Sequence, residues 1–168
     1  MQRRTLIKVG AVSAVLLAVV GGTAALIQPG LQNGNLTAAG RNVFRAISAA
    51  VLDKTLAEQP QTKNAELTAL LGRIDVLISA LPQHAQAELS QLLSILASGA
   101  GRRALAGLST PWASASTPEV QAALQDMRLS SLGVRQQAYA ALHDITAGAY
   151  FSEPTTWTML GYPGPLAI

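Results

Sequence analysis

The sequence contains no cysteine. Disulfides, thiolate metal sites, haem attachment through a thioether and a cysteine nucleophile are therefore excluded. The lack says nothing against an oxidising compartment, because a helical domain of this size folds on its apolar core without cross-links. Charge is scarce as well. Asp, Glu, Lys and Arg make up 12% of the chain, against about 25% in typical soluble domains. A small domain so poor in charge hides an unusual share of its surface or docks against something. No segment shows sustained alternation with β-branched residues, so no sheet is expected. No HExxH, EF-hand loop or nucleotide-binding glycine loop is present, and two isolated histidines, His84 and His143, make no metal site.

What the chain does have is concentrated at its two ends. It begins Met1-Gln2-Arg3-Arg4-Thr5-Leu6-Ile7-Lys8. Adjacent arginines, two aliphatic residues and a lysine stand in the order of a twin-arginine export motif, with Arg3, Arg4, Leu6, Ile7 and Lys8 as its elements. A mildly apolar stretch follows to about Ile27, and Gly22-Thr23-Ala24 supplies the small residues a signal peptidase reads. Residues 1–27 are thus expected to be a signal peptide, or a retained N-terminal anchor, since about 20 apolar residues span a bilayer. Setting aside Arg3, Arg4 and Lys8 leaves nine basic residues against nine acidic ones. The remainder is neutral, and binding to nucleic acid through a basic face loses its support. The twin-arginine translocase carries folded cargo to the periplasm, so something in this chain or bound to it folds before export.

Between the ends the pattern is helical. Residues 28–34 read as a linker, with Pro29, Gly30 and Asn33-Gly34 as turn signals. Residues 35–151 are expected to form a small all-α bundle of about five helices. Asn35 is placed as the cap of a first helix running to about Ala57, with Val43, Phe44, Ile47 and Val51 inward. After the break at Gln59-Pro60-Gln61, Asn64 is placed as the next cap, and Leu67, Leu70, Leu71, Ile74, Leu77, Ile78 and Leu81 recur at spacings of three and four. Pro82 opens a helix with Ala85, Leu89, Leu92, Leu93 and Leu96 as its stripe. A short helix from Arg102 to Leu108 and a loop over Ser109–Ser116 follow. Thr117-Pro118-Glu119 signals another helix start, with Val120, Leu124 and Met127 inward. The last helix runs from about Val134 to Phe151.

Candidate chemistry inside the bundle is thin. His143-Asp144, with Tyr139 one turn earlier, is the best titratable cluster. It reads as a polar helix edge, with a hydrolase or isomerase using His143 as base the weakest of three functional hypotheses. His84 is expected to be exposed, Arg102-Arg103 to be a solvated pair, and Met127 and Met159 to be core or contact residues.

The final stretch, residues 152–168, differs in kind. It carries Pro154, Trp157, Met159, Leu160, Tyr162, Pro163 and Pro165, with too much proline and glycine for a helix and too many large apolar groups for a solvated tail. It is expected to be an extended docking tail, with Tyr150, Phe151, Trp157, Leu160, Tyr162 and Pro163 as the partner-binding residues. Ala149-Tyr150-Phe151-Ser152-Glu153-Pro154, then Trp157 and Leu160-Gly161-Tyr162-Pro163-Gly164-Pro165, resembles the end of the gluconate 2-dehydrogenase subunit 3 family. The resemblance is close over Leu160–Pro165 and loose over the helical body. It implies a small subunit without a redox centre or catalytic residues of its own, exported by the twin-arginine route. Such a subunit escorts, matures and stays bound to a flavin-containing dehydrogenase of the glucose-methanol-choline type. FAD would sit in that catalytic partner, a multihaem cytochrome c would often complete the complex, and the assembly would lie in the periplasm against the inner membrane. A free-standing periplasmic helical binding protein is the competing expectation.

Overall fold

The computed structural model describes residues 28–162 and Gly164, without the side chains of 158–160. The fold is all-α. Five long helices carry it: α1 Ala38–Val51, α2 Pro60–Ser79, α3 Gln83–Ala97, α4 Thr117–Arg128 and α5 Gly133–Phe151. Helix α1 is central and packs against the other four, while α2 also packs on α5 and α4 on α5. The inward stripes follow the apolar periodicity, except that Val51, Leu77, Leu81 and Ala85 are only half-buried. Val43, Phe44 and Ile47 of α1, Leu70, Ile74 and Ile78 of α2, Leu93 and Leu96 of α3, Met127 of α4 and Leu142 of α5 are all completely buried.

The helix starts follow local chemistry, and three differ from expectation. Helix α2 begins at Pro60, not near Asn64. Proline lacks the N–H that a first helical residue leaves unused, and its φ is already helical, so the residue that breaks one segment opens the next. Asn64 is an exposed residue of the second turn. Glu66 instead accepts a hydrogen bond from the Ala57 N–H (2.9 Å) and ties down the turn after α1. Helix α4 is capped by Ser116, one residue earlier than the threonine. The Ser116 N–H and hydroxyl both donate to the Glu119 carboxylate, at 2.8 and 2.7 Å, and Ser116 Oγ faces the Glu119 N–H in return. This capping box and the Thr110 hydroxyl hold the Glu119 carboxyl below its ordinary value: the Ser116 hydroxyl contributes most, then the Ser116 N–H, then Thr110.

The segment expected to be a linker is part of the fold. Leu31–Gln32 (β1) and Asn35–Leu36 (β2) form a two-residue antiparallel hairpin, with Leu31 opposite Leu36. Asn33 (φ 51°) and Gly34 (φ 76°) supply the two positive φ angles of a tight hairpin turn. Gly30 N–H donates to Ser94 Oγ (2.9 Å) and Leu31 N–H to Ser90 Oγ (3.1 Å), pinning the strand onto α3. Leu36 N–H donates to Asp75 on α2 (2.8 Å), and the same carboxylate pairs with Arg41 of α1. Thr37, not Asn35, caps α1, its hydroxyl accepting from the Gly40 N–H; the Asn35 amide donates to the Asn33 carbonyl within the hairpin.

Candidate partner-docking surface

Helix α5 ends at Phe151, where the last four carbonyls of a helix have no partner of their own. The residues that follow supply the partners. Gly148 O accepts from the Ser152 N–H (3.0 Å). Ala149 O accepts from the Ser152 hydroxyl (2.9 Å) and from Arg73 Nε of α2 (3.0 Å). Tyr150 O accepts from the Glu153 N–H (3.3 Å) and the Thr156 hydroxyl (3.4 Å). Phe151 O accepts from the Trp157 indole N–H (2.7 Å). All four carbonyls are therefore closed by the chain's own groups. Arg73 adds an ion pair with Glu153 at 4.0 Å.

This geometry revises the picture of an extended tail. Pro154–Leu160 is a 3-10 helix, with proline at the first position where its missing N–H costs nothing. Thr156 is buried, and its hydroxyl also donates to Glu153 O at 2.7 Å. Gly161 (φ 67°) then turns the chain so that the Tyr162 N–H reaches Trp157 O at 3.1 Å. The Trp157 and Tyr162 rings meet at 5.5 Å between centroids. Tyr150 and Phe151 meet edge to face at 5.2 Å.

The expected docking residues separate accordingly. Tyr150 is buried at 8% exposure and belongs to the fold. Phe151 and Tyr162 are exposed, at 38% and 48%, and Trp157 is half-buried. The Leu160 side chain and Pro163 lie outside the described residues, as do the Met159 side chain and the export motif of Arg3, Arg4, Leu6, Ile7 and Lys8. Beside the aromatic cluster a recess of about 360 Å³ is lined by Leu56, Glu66, Leu70, Arg73, Tyr150 and Thr156, among others.

The other candidates fall where their neighbours allow. His143 Nδ1 lies 3.1 Å from Asp144 Oδ1, and its ring stacks on Tyr139 at 5.5 Å. The two rings open onto a shallow recess of about 280 Å³ with Gln121, Leu124 and Gln125 of α4. His84 is exposed and Met127 is core. Arg102 is not solvated. It is 7% exposed and donates from Nε to Leu108 O (3.2 Å) and from Nη2 to Ser109 O (3.1 Å). The π-helical turn Arg102–Ala106 and Gly107 at φ 71° bring those carbonyls back over it. Arg103 stays exposed. The residues that sequence reasoning missed are Arg73, Ser152 and Thr156. The hydroxyls just past the helix end were the available signal; the role of Arg73 is set by contacts distant in sequence. No helix among the described residues is long and apolar enough to cross a membrane. No family model, curated protein or solved structure matches this chain.

Proposed function

We propose that this chain is a non-catalytic accessory subunit that binds, matures and co-exports a flavin-dependent sugar or alcohol dehydrogenase of the glucose-methanol-choline type. The partner carries the FAD and is taken through the twin-arginine translocase with this chain. A multihaem cytochrome c is a further component of the assembly, which lies in the periplasm against the inner membrane. The observation that carries the reading is the aromatic cluster at the end of α5. Phe151 and Tyr162 present large apolar area to solvent on a backbone already fixed by the closed carbonyls of residues 148–151. Preorganised aromatic anchors lose little freedom on docking and are the residues that dominate interfaces. The resemblance of the Leu160–Pro165 stretch to the subunit 3 family, and the Arg3-Arg4 motif, add the partner class and the route. A free-standing binding protein is the second reading, and the 360 Å³ recess beside Arg73 is the feature that favours it.

The test uses the full chain expressed with its neighbouring reading frames. Replacing both Phe151 and Tyr162 by alanine should leave helicity unchanged and weaken retention of a co-purifying flavoprotein by about thirtyfold or more, as loss of one or two anchors does. Changing Arg3 and Arg4 to lysine should leave chain and flavoprotein together in the cytoplasm. A chain that purifies from the periplasm with no flavoprotein overturns the reading, and so does full retention by the double alanine variant.

A further inference from the structure

The opposite end of α5 carries a second unusual surface, independent of the docking cluster. The turn between α4 and α5 reads Leu129-Ser130-Ser131-Leu132, and its two leucines are 67% and 58% exposed. Single exposed leucines are ordinary, but two on one four-residue turn form a local apolar patch. The charge around it is mostly of one sign. Arg128 is exposed just before the turn, and Arg135 lies in the first turn of α5. The Arg135 Nε donates to Leu105 O (2.8 Å), and its guanidinium lies against Gly107. That contact joins the π-helical turn with exposed Arg103 to this end of the molecule. Asp126, exposed on the last turn of α4, is the nearby carboxylate in sequence, and none of Arg103, Arg128 and Arg135 forms an ion pair among the described residues.

The backbone of the turn is partly closed by its own groups. Leu129 N–H donates to Gln125 O (3.0 Å) and Ser130 N–H to Met127 O (3.3 Å). Leu132 N–H donates to Ser130 Oγ (3.2 Å), Ser130 O accepts from the Gln136 amide (2.7 Å), and Leu132 O accepts from the Arg135 N–H (3.0 Å). Seating at interfacial depth leaves the remaining backbone groups of the turn within reach of headgroups and water, so only the leucine side chains need enter the apolar region. The basic flank, unpaired among the described residues, complements an anionic surface. We propose that the α4–α5 turn is a membrane-seating loop. Leu129 and Leu132 enter the interfacial region of an anionic bilayer, and Arg103, Arg128 and Arg135 face its phosphates. The combination of apolar insertion and basic flank is the physics of peripheral membrane attachment.

The absence of cysteine makes the test direct. Single cysteines are placed in the full-length chain at Leu129, Leu132 or Val76, and each is labelled with an environment-sensitive dye. Val76 is 70% exposed on α2 beside Leu77, which contacts Gly148, roughly 20 Å along α5 from the turn. Vesicles of phosphatidylcholine alone, or with phosphatidylglycerol, carry a spin-labelled lipid as quencher. Residues 1–27 of the full chain can hold the protein on vesicles, so the readout is immersion of the label, not sedimentation. Labels at 129 and 132 are expected to shift to the blue and be quenched on anionic vesicles, while the label at 76 is not. Arg103→Glu with Arg128→Glu is expected to lower the immersed-to-exposed ratio at 132 by about tenfold or more. Labels at 129 and 132 that remain in water overturn the proposal, as does equal quenching at 76 or indifference to the charge reversal. Shielding that appears only when a soluble periplasmic extract is added also overturns it, in favour of a protein partner.

Discussion

Gly30→Ala separates a linker from a structural strand. A methyl group built on Gly30 would lie 2.7 Å from Ser90 O and closer still to Leu93 Cβ, both on α3. Neither obstacle is the free end of a flexible side chain, so β1 must move outward. On its other side the Gly30 carbonyl accepts from the Thr37 N–H (3.1 Å), and a methyl on Gly40 would lie 2.5 Å from it. Movement outward stretches the bonds to Ser94 Oγ and Ser90 Oγ, each worth ~1 kcal/mol net. Overpacking itself costs ~1–3 kcal/mol. The expected destabilisation is therefore ~2–5 kcal/mol, which lowers the melting temperature on the order of 10 °C. Gly72→Ala is the control: nothing lies within 4 Å of its position, and it is exposed within α2. There alanine should stabilise by ~1 kcal/mol through helix propensity. Thermal unfolding of the full chain by circular dichroism reads both. A Gly30→Ala protein that melts within about 1 °C of wild type would show that residues 28–34 are a solvated linker after all.

Two further outcomes follow from side chains in unusual positions. The hydroxyl of Thr146 is completely buried on α5 without a partner among the described residues, so Thr146→Val should raise stability by ~1 kcal/mol in thermal or urea unfolding; a loss would reveal a hidden partner such as an internal water. Glu119 has its carboxyl held below the ordinary value of 4.5 by the α4 cap, so its contribution is complete above that value and is lost as pH falls through the lower folded-state value. Wild type should exceed Glu119→Gln at neutral pH and converge with it in acid, and curves that stay parallel into acid would refute the assignment.

How much of the fold was legible depended on where each residue's partners lay. The stripe of α2 needed only its own spacing: Leu67, Leu70, Leu71, Ile74 and Ile78 are buried, while Leu77 and Leu81, expected with them, are half-buried. Position 30 could not be read that way. Its glycine is required by Ser90, Leu93 and Ser94, far along the chain, and a Pro-Gly pair before Asn-Gly looks like a linker in isolation. Pro60 was visible but ambiguous, since a proline ends one helix and begins another with equal ease. Arg102 misled for a related reason. Adjacent arginines look solvated until a turn through Gly107 brings the Leu108 and Ser109 carbonyls back onto one of them.

The tail shows the same limit at the candidate site and bears on what the molecule can connect. Its aromatic content was plain in the sequence. That the indole N–H would close a helix carbonyl was not, because that depends on where the 3-10 turn sets the ring. The outcome is a cluster fixed to one end of α5, while Leu129 and Leu132 stand before the other. At 1.5 Å per residue the nineteen residues of α5 separate the two surfaces by ~28 Å. Buried Leu142 and Thr146 lie between them, so the helix is a packed strut and the spacing does not adjust. On the two proposals together, a subunit seated on the bilayer by its α4–α5 turn holds its dehydrogenase about 28 Å along α5 from the seat.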